Sequence, residues 1–137
     1  MKLDEYLKQV QKQGQTVNPL FKFLEVAVES ITAQEAVLRL VVKKEFIQGA
    51  GVLAGGLVAT LLDEAMAHVA IVSIDPARST ATSDINVRYL KPVRAGETIR
   101  GRAWVLKAGR RVVSVEAEAR NEKDELVAKA SATFIVL

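Results

Sequence analysis

One carboxylate in this sequence stands where a carboxylate is costly. Between Gly55 and about Ile74 the helical wheel surrounds Asp63 with Ala59, Ala67 and Ala70. A carboxylate among small apolar side chains on a mostly buried helix loses several kcal/mol of hydration unless it has a partner or faces a cleft. The alanines would leave such a cleft room for a ligand. Just upstream, Gly49, Gly51, Gly55 and Gly56 place bare backbone at the helix start. Unpaired N–H groups there attract a developing oxyanion, and glycine lets a substrate carbonyl come within hydrogen-bonding range. The same glycines also suit a flexible turn. The single histidine, His68, follows Glu64 by four residues, a spacing that makes a local helical ion pair or hydrogen bond. It lies five from Asp63 and points elsewhere, so a Ser-His-Asp arrangement within this helix is geometrically poor. With no cysteine and one histidine, thiolate zinc sites, iron-sulfur clusters, cysteine nucleophiles and multi-histidine metal sites are excluded. The chemistry on offer is a carboxylate plus backbone amides, with no metal or cofactor required.

These groups need elements to position them. Leu3, Tyr6, Leu7 and Val10, with Gly14 as a stop, predict a short amphipathic N-terminal helix that acts as a lid or a prop. Asn18-Pro19 reads as a turn, followed by a half-buried strand through Glu25–Glu29 and a second at Ala36–Val42, together a hairpin. Residues 43–53 form a loop feeding the dominant helix, which Asp75-Pro76 ends. Four extended segments follow at about 79–90, 98–107, 110–120 and 125–137, separated by RAGE, AGR and NEKD turns. Consecutive tight turns predict antiparallel neighbours. The expected class is α+β, a single domain over 1–137, in which long strands curve round one apolar helix. Leu57, Val58, Leu61, Leu62, Ala65, Val69 and Val72 form the face that must meet the sheet.

The run QGAGVLAGGLVATLLDEAMA resembles the signature of hotdog-fold acyl-CoA thioesterases of the phenylacetyl-CoA (PaaI-like) type, in which an Asn, a Gly, a His-Gly-Gly and an acidic helix residue recur at fixed spacing. The later SDINVRYLKPVRAGE and the segment from LKAGRR to the end are similar to that family's remaining strands. The likeness covers residues 18–137 and leaves the N-terminal helix outside. It implies a curved sheet of about six strands around one central helix. It also implies that Asp63 is the acidic catalytic residue and that the Gly56 N–H polarises the thioester carbonyl. Thr82 falls where related enzymes hold the attacking water or its carboxylate partner. Two positions depart from the pattern. Ala54 stands in place of the histidine and has no donor or acceptor, and Gln48 stands in place of the asparagine, with the same amide on a longer stem.

The resemblance further implies hydrolysis of acyl-CoA thioesters, with Asp63 as base or nucleophile. The loss at Ala54 opens an alternative, a binding or sensing protein without turnover. Lys91, Arg94, Lys107, Arg110 and Arg111 sit at strand ends or turns, where they could meet coenzyme A phosphates or form a solvated rim. Arg88, Arg100 and Arg102 mark the exposed sheet face. The acyl pocket is expected around Leu53, Ala54, Gly55, Leu57, Ala59, Thr60 and Ala67 near Phe46. It suits medium-chain or aryl groups and disfavours acetyl and charged ones. Open edges on the terminal strands and the family likeness predict a homodimer or homotetramer with active sites at the dimer interface.

Composition narrows the class further. The chain has 137 residues, a net charge of +3 and 5% aromatic residues, with acids interleaved among the bases. No basic run or base-stacking platform points to nucleic acid. The start MKLDEYLKQVQKQG lacks the apolar stretch of a secretion signal, so a cytoplasmic location is the expectation. Leu57 to Ile74 is interrupted by Asp63, Glu64 and His68, which predicts a buried helix and no membrane partner.

Overall fold

Small side chains decide how closely a helix can lie on a sheet, and here they line one face of it. The computed structural model describes residues 1–137. The elements are α1 (Leu3–Val10), α2 (Pro19–Leu24), β1 (Ala27–Ile31), β2 (Ala36–Val41), a 3-10 turn at Lys44–Phe46, α3 (Gly55–Val72), β3 (Thr80–Tyr89), β4 (Thr98–Ala108), β5 (Val112–Asn121) and β6 (Leu126–Val136). The strands form one curved antiparallel sheet in the order β1-β2-β4-β5-β6-β3. Its inner face presents Ala103, Ala117, Ala119, Ala128, Ala130 and Ala132, all buried. Gly101 lies under Leu61, whose Cγ is 3.2 Å from where a glycine-replacing Cβ would stand. Val58, Leu61, Leu62, Ala65, Met66 and Val69 of α3 are buried against this face, and each large side chain contributes roughly 1.5 to 3 kcal/mol. By length and composition α3 could cross a membrane, but here it is the helix that the sheet wraps.

The hairpins β1–β2, β4–β5 and β5–β6 form as the turns predict. The RAGE segment does not make a hairpin. β4 pairs with β2, and β3 crosses to the far edge beside β6. The connection is pinned by buried Val93 and by backbone bonds from Gly96 N–H to Val42 and from Val42 N–H to Glu97, each 2.8 Å. β2 thus takes the edge of β4, and β3 covers the other flank of the helix. The open edges are therefore β1 and β3, and the C-terminal strand is interior. Asn18-Pro19 is also more than a turn. The Asn18 Oδ1 accepts the Phe21 N–H at 3.1 Å and Pro19 opens the short α2, as a capping asparagine and a first-turn proline favour. The following strand then starts at Ala27. Arg100 and Arg102 lie on the outer face and pair with Glu29 and Glu35 at 2.7 and 2.6 Å.

Candidate active site

Asp63 projects from the partly uncovered side of α3 towards β3. Thr82 donates its hydroxyl to Asp63 Oδ1 at 2.9 Å, which leaves Oδ2 free to take a proton or attack. The reach of Thr82 depends on a bulge. The β3–β6 register shifts between Thr82 and Asp84, leaving Ser83 as an extra residue. A bulge re-aims the following side chains by one step. Thr80 and Thr82 before it, and Ile85, Val87 and Tyr89 after it, consequently pair with the inward-facing β6 residues Val136, Phe134, Ala132, Ala130 and Ala128. Without it, Thr82 and Tyr89, seven apart, would point to opposite faces.

Tyr89 fixes the start of α3. Its hydroxyl donates to the Gly55 carbonyl at 2.6 Å, and a Cβ at residue 55 would stand 3.1 Å from its ring, so a larger residue there would press on Tyr89. Ala54 is the N-cap and supplies no side-chain bond. The Leu57 and Val58 amides turn back to the Ala54 carbonyl at 3.0 and 3.3 Å, whereas the Gly55 and Gly56 amides have no acceptor in the chain. Space beyond Gly56 is open. Two donors at a helix N-terminus are therefore left without an acceptor, as an oxyanion site requires. The Thr60 hydroxyl bonds the Gly56 carbonyl at 2.9 Å. Gly56 and Asp63 are seven residues apart, about 10 Å along the axis. One carbonyl cannot touch both within a single chain.

The remaining expected residues fall into two separate places. Gln48, Leu53, Gly55 and Lys91 line one cavity of about 360 Å³ with Tyr89 at the α3 N-terminus. In it the Gln48 amide oxygen accepts the Ala50 N–H, and the Lys91 ammonium is paired with Glu125. Arg110 and Arg111 line another cavity of about 640 Å³ with Lys107 and Arg78, at the opposite end of β3, about 30 Å from Lys91 by strand rise. Of the residues expected around Asp63, Ala70 is buried in the core, while Ala59 and Ala67 are half-buried like Asp63 itself. Phe46 is likewise a core side chain. Tyr89 and Arg78 escaped the sequence reading. Strict alternation hides Tyr89, and Arg78 lies in an irregular segment with no spacing to betray it.

His68 is structural, though not as an ion pair with Glu64. Its Nδ1 lies 2.7 Å from the Glu64 carbonyl, while the Glu64 carboxylate is 3.9 Å away. A carbonyl only accepts, so Nδ1 carries the proton and Nε2 accepts the Tyr6 hydroxyl at 2.9 Å. Asn18 donates to Tyr6 in turn at 2.9 Å, and Phe21 packs on the imidazole. Burial holds the His68 pKa below its ordinary value. Burial, with the charge of Asp63 second, pushes Glu64 up. As pH falls below about 6.5, the unfolded chain binds a proton that folded His68 refuses, so stability is lost on going down. Glu64 acts in the opposite sense, adding stability at acid pH that is lost as pH rises through its raised value. The wild-type melting temperature should therefore fall on acidification from about pH 7 to 6, and the slope should flatten in His68→Gln. Equal slopes would remove His68 as the cause.

Comparison with known proteins places the chain in a family. The thioesterase superfamily model matches residues 50–128, the stretch holding α3, its glycines, Asp63 and Thr82. A Saccharolobus solfataricus protein that carries an esterase name is 29% identical over 136 residues, covering 98% of this chain and 95% of its own. Human acyl-coenzyme A thioesterase 13 is 27% identical over 97 residues, covering 71% and 69%. The crystal structure of a phenylacetic acid degradation-related protein from Ralstonia eutropha superposes with a TM-score of 0.83 at 26% identity, covering 95% and 98%. The chain belongs to the thioesterase superfamily, with the hotdog fold of the PaaI-like type.

Proposed function

We propose that the protein hydrolyses acyl-CoA thioesters with medium-chain or aryl acyl groups at a site shared by two subunits. The observation that carries this is the Asp63–Thr82 pair standing behind an edge strand whose outer backbone is unpaired. Such an edge favours antiparallel pairing with a second copy about a two-fold axis. With that axis near the middle of β3, Thr82 lies opposite residues near Tyr89 of the partner subunit. Tyr89 holds the α3 N-terminus, so the partner's free amides come towards Asp63. The 10 Å gap within one chain is then closed across the interface. The assembly is a homodimer, or a homotetramer of two such dimers, and the reading keeps the protein in the cytoplasm.

In the reaction, Asp63 takes a proton from water as the water oxygen bonds to the thioester carbon. The carbonyl oxygen becomes an oxyanion that accepts the N–H of Gly56 of the partner subunit. Collapse breaks the carbon–sulfur bond, and Asp63 returns the proton to the leaving thiolate. Direct attack by Asp63 would instead form an anhydride that water then opens. Thr82 orients the carboxylate in either route. Gln48 is assigned to the loop shaping the oxyanion site, and Leu53, Ala54, Gly55 and Thr60 to the substrate's path. Arg110 and Arg111 face the coenzyme A phosphates with Arg78 and Lys107, and the same pairing brings the partner's Lys91 towards that cationic end. No metal or further cofactor enters these steps.

Ala54 favours a second reading, an acyl-CoA binding or sensing protein without turnover. Thiol release from a panel of aliphatic and aryl acyl-CoA esters separates the two. Steady release supports the hydrolase, while binding of intact ester with no thiol over hours supports the binder. In a hydrolase, Ala54→His should raise kcat/KM by about tenfold or more, within the range of one added polar contact. No response would mean that another group already fills that role.

A further inference from the structure

We propose that the groove between α1 and the C-terminal half of α3 is the acyl subsite of the hydrolase read above, and that it takes a straight aliphatic chain in preference to an aryl group. Two cavities of about 790 and 380 Å³ lie there, and both are lined by Leu3 of α1 and Ile71 of α3. Leu7 and Ile74 add apolar wall to the larger, and Tyr6 to the smaller. Leu3, Leu7, Ile71 and Ile74 are only partly buried, whereas Leu62, Ala65 and Val69 on the sheet side of α3 are fully covered. The seam between the helices has room in it. It is also a fixed seam, because the Tyr6 hydroxyl is held by His68 and Asn18. Its volume falls in the range of small-molecule clefts, and it is an open groove whose rim is completed by Val17 and by residues 76–79.

Continuity with the carboxylate names the occupant. Asp63, Ala67 and Ile71 follow at spacing four along one ridge of α3. A chain leaving the thioester at Asp63 and following this ridge past the small, half-buried Ala67 would reach the groove at Ile71. The axial distance is about 12 Å, which needs about ten carbons at C–C bonds near 1.5 Å and angles near 111°. An acetyl or benzoyl group cannot span it. Charge agrees with a neutral tail. Arg78 borders the smaller cavity, but its guanidinium is bonded to the carbonyls of Leu137 and Val136 and forms part of the cationic cavity behind. Lys2 and Asp4 line the larger cavity only as exposed residues. The α1 helix, which lies outside the likeness to the family, thereby acquires a role in chain-length selection.

The decisive measurement is the ratio of kcat/KM for tetradecanoyl-CoA to that for hexanoyl-CoA in full-length wild type, Ile71→Trp and Ile71→Ala. Filling the groove should lower the ratio tenfold or more, since each buried methylene is worth about fourfold. Ile71→Ala should leave it unchanged or raise it. Leu90→Trp serves as a control, since Leu90 lines the cavity of Gln48 and Tyr89 at the other end of α3. A ratio unmoved by both Ile71 variants, or moved only by Leu90→Trp, would overturn the assignment while leaving the hydrolase reading intact. Binding of the non-hydrolysable thioether S-dodecyl-CoA gives the converse. If wild type hydrolyses nothing yet binds this probe, and Ile71→Trp weakens binding tenfold, the subsite stands and the hydrolase reading falls. Equal binding by wild type and Ile71→Trp would count against the subsite even then.

Discussion

Asp63→Asn should slow thiol release from a medium-chain acyl-CoA by about 10² to 10⁴, the usual range for removing a positioned acid or base. The substitution is nearly isosteric, and an amide oxygen can still accept the Thr82 hydroxyl that now lies 2.9 Å from Oδ1, so folding should be preserved. What it removes is the second oxygen as a proton acceptor or nucleophile. Thr82→Val should cost less, about 10- to 100-fold, because it deletes one hydrogen bond to a charged group. That bond orients the carboxylate without taking part in bond making. Thr82→Ser, which keeps the hydroxyl, should recover most of the rate. Steady-state kinetics with a thiol reagent, alongside melting curves, provide the check. Equal rates for wild type and Asp63→Asn would remove Asp63 from the chemistry.

A larger qualitative effect is expected from mixing two inactive variants. Gly56→Pro deletes the amide assigned to the oxyanion, and proline is tolerated there because residue 56 lies in the first turn of α3. Alone, it should lose about 10² to 10³ in kcat, the cost of one oxyanion donor. Asp63→Asn should be inactive for the separate reason above. Each site is assigned the carboxylate of one subunit and the amide of the other, so a mixed dimer of the two variants holds one intact site and one doubly damaged site. Random reassociation makes half the dimers mixed, and an equimolar mixture should recover about a quarter of wild-type activity. If both groups came from one chain, no combination would contain an intact site and mixing would recover nothing. The roughly 10 Å between Gly56 and Asp63 along α3 is the reason for expecting recovery.

The amino-acid sequence alone was enough for the central helix and the six strands, and it singled out Asp63 as the candidate carboxylate. Those rest on local signals: the apolar wheel of α3, the glycine-bounded turns, and a carboxylate whose neighbours are alanine. Periodicity and turn chemistry act over a few residues, so they can be read without knowing what packs on what. The Asn18-Pro19 pair shows where local reading stops, since a turn and a helix cap use the same residues. Only a bond from the Phe21 amide to Asn18 separates the two. Neighbour order in the sheet was not local either. The RAGE segment looks like a hairpin turn, and β3 leaves β4 because the free edge of β4 is taken by β2 and the exposed flank of α3 needs cover.

The site itself divides along the same line. Asp63, Gly55 and Gly56 could be named as candidates from residue type and spacing, and Thr82 only from the likeness to the thioesterases. Tyr89 could not, because the one-residue bulge at Ser83 resets the strand's alternation, and a bulge is decided by pairing with β6 and not by the composition of β3. The pairing of His68 with Tyr6, 62 residues apart, and the convergence of Arg78 with Lys107, Arg110 and Arg111 also joined groups distant in the chain. Sequence patterns determined which chemistry the protein could carry, because side-chain type and helical phase are properties of short segments. Tertiary structure alone decided which of those groups meet, because contact between strands and helices depends on sheet order, register and the edge left free for a partner.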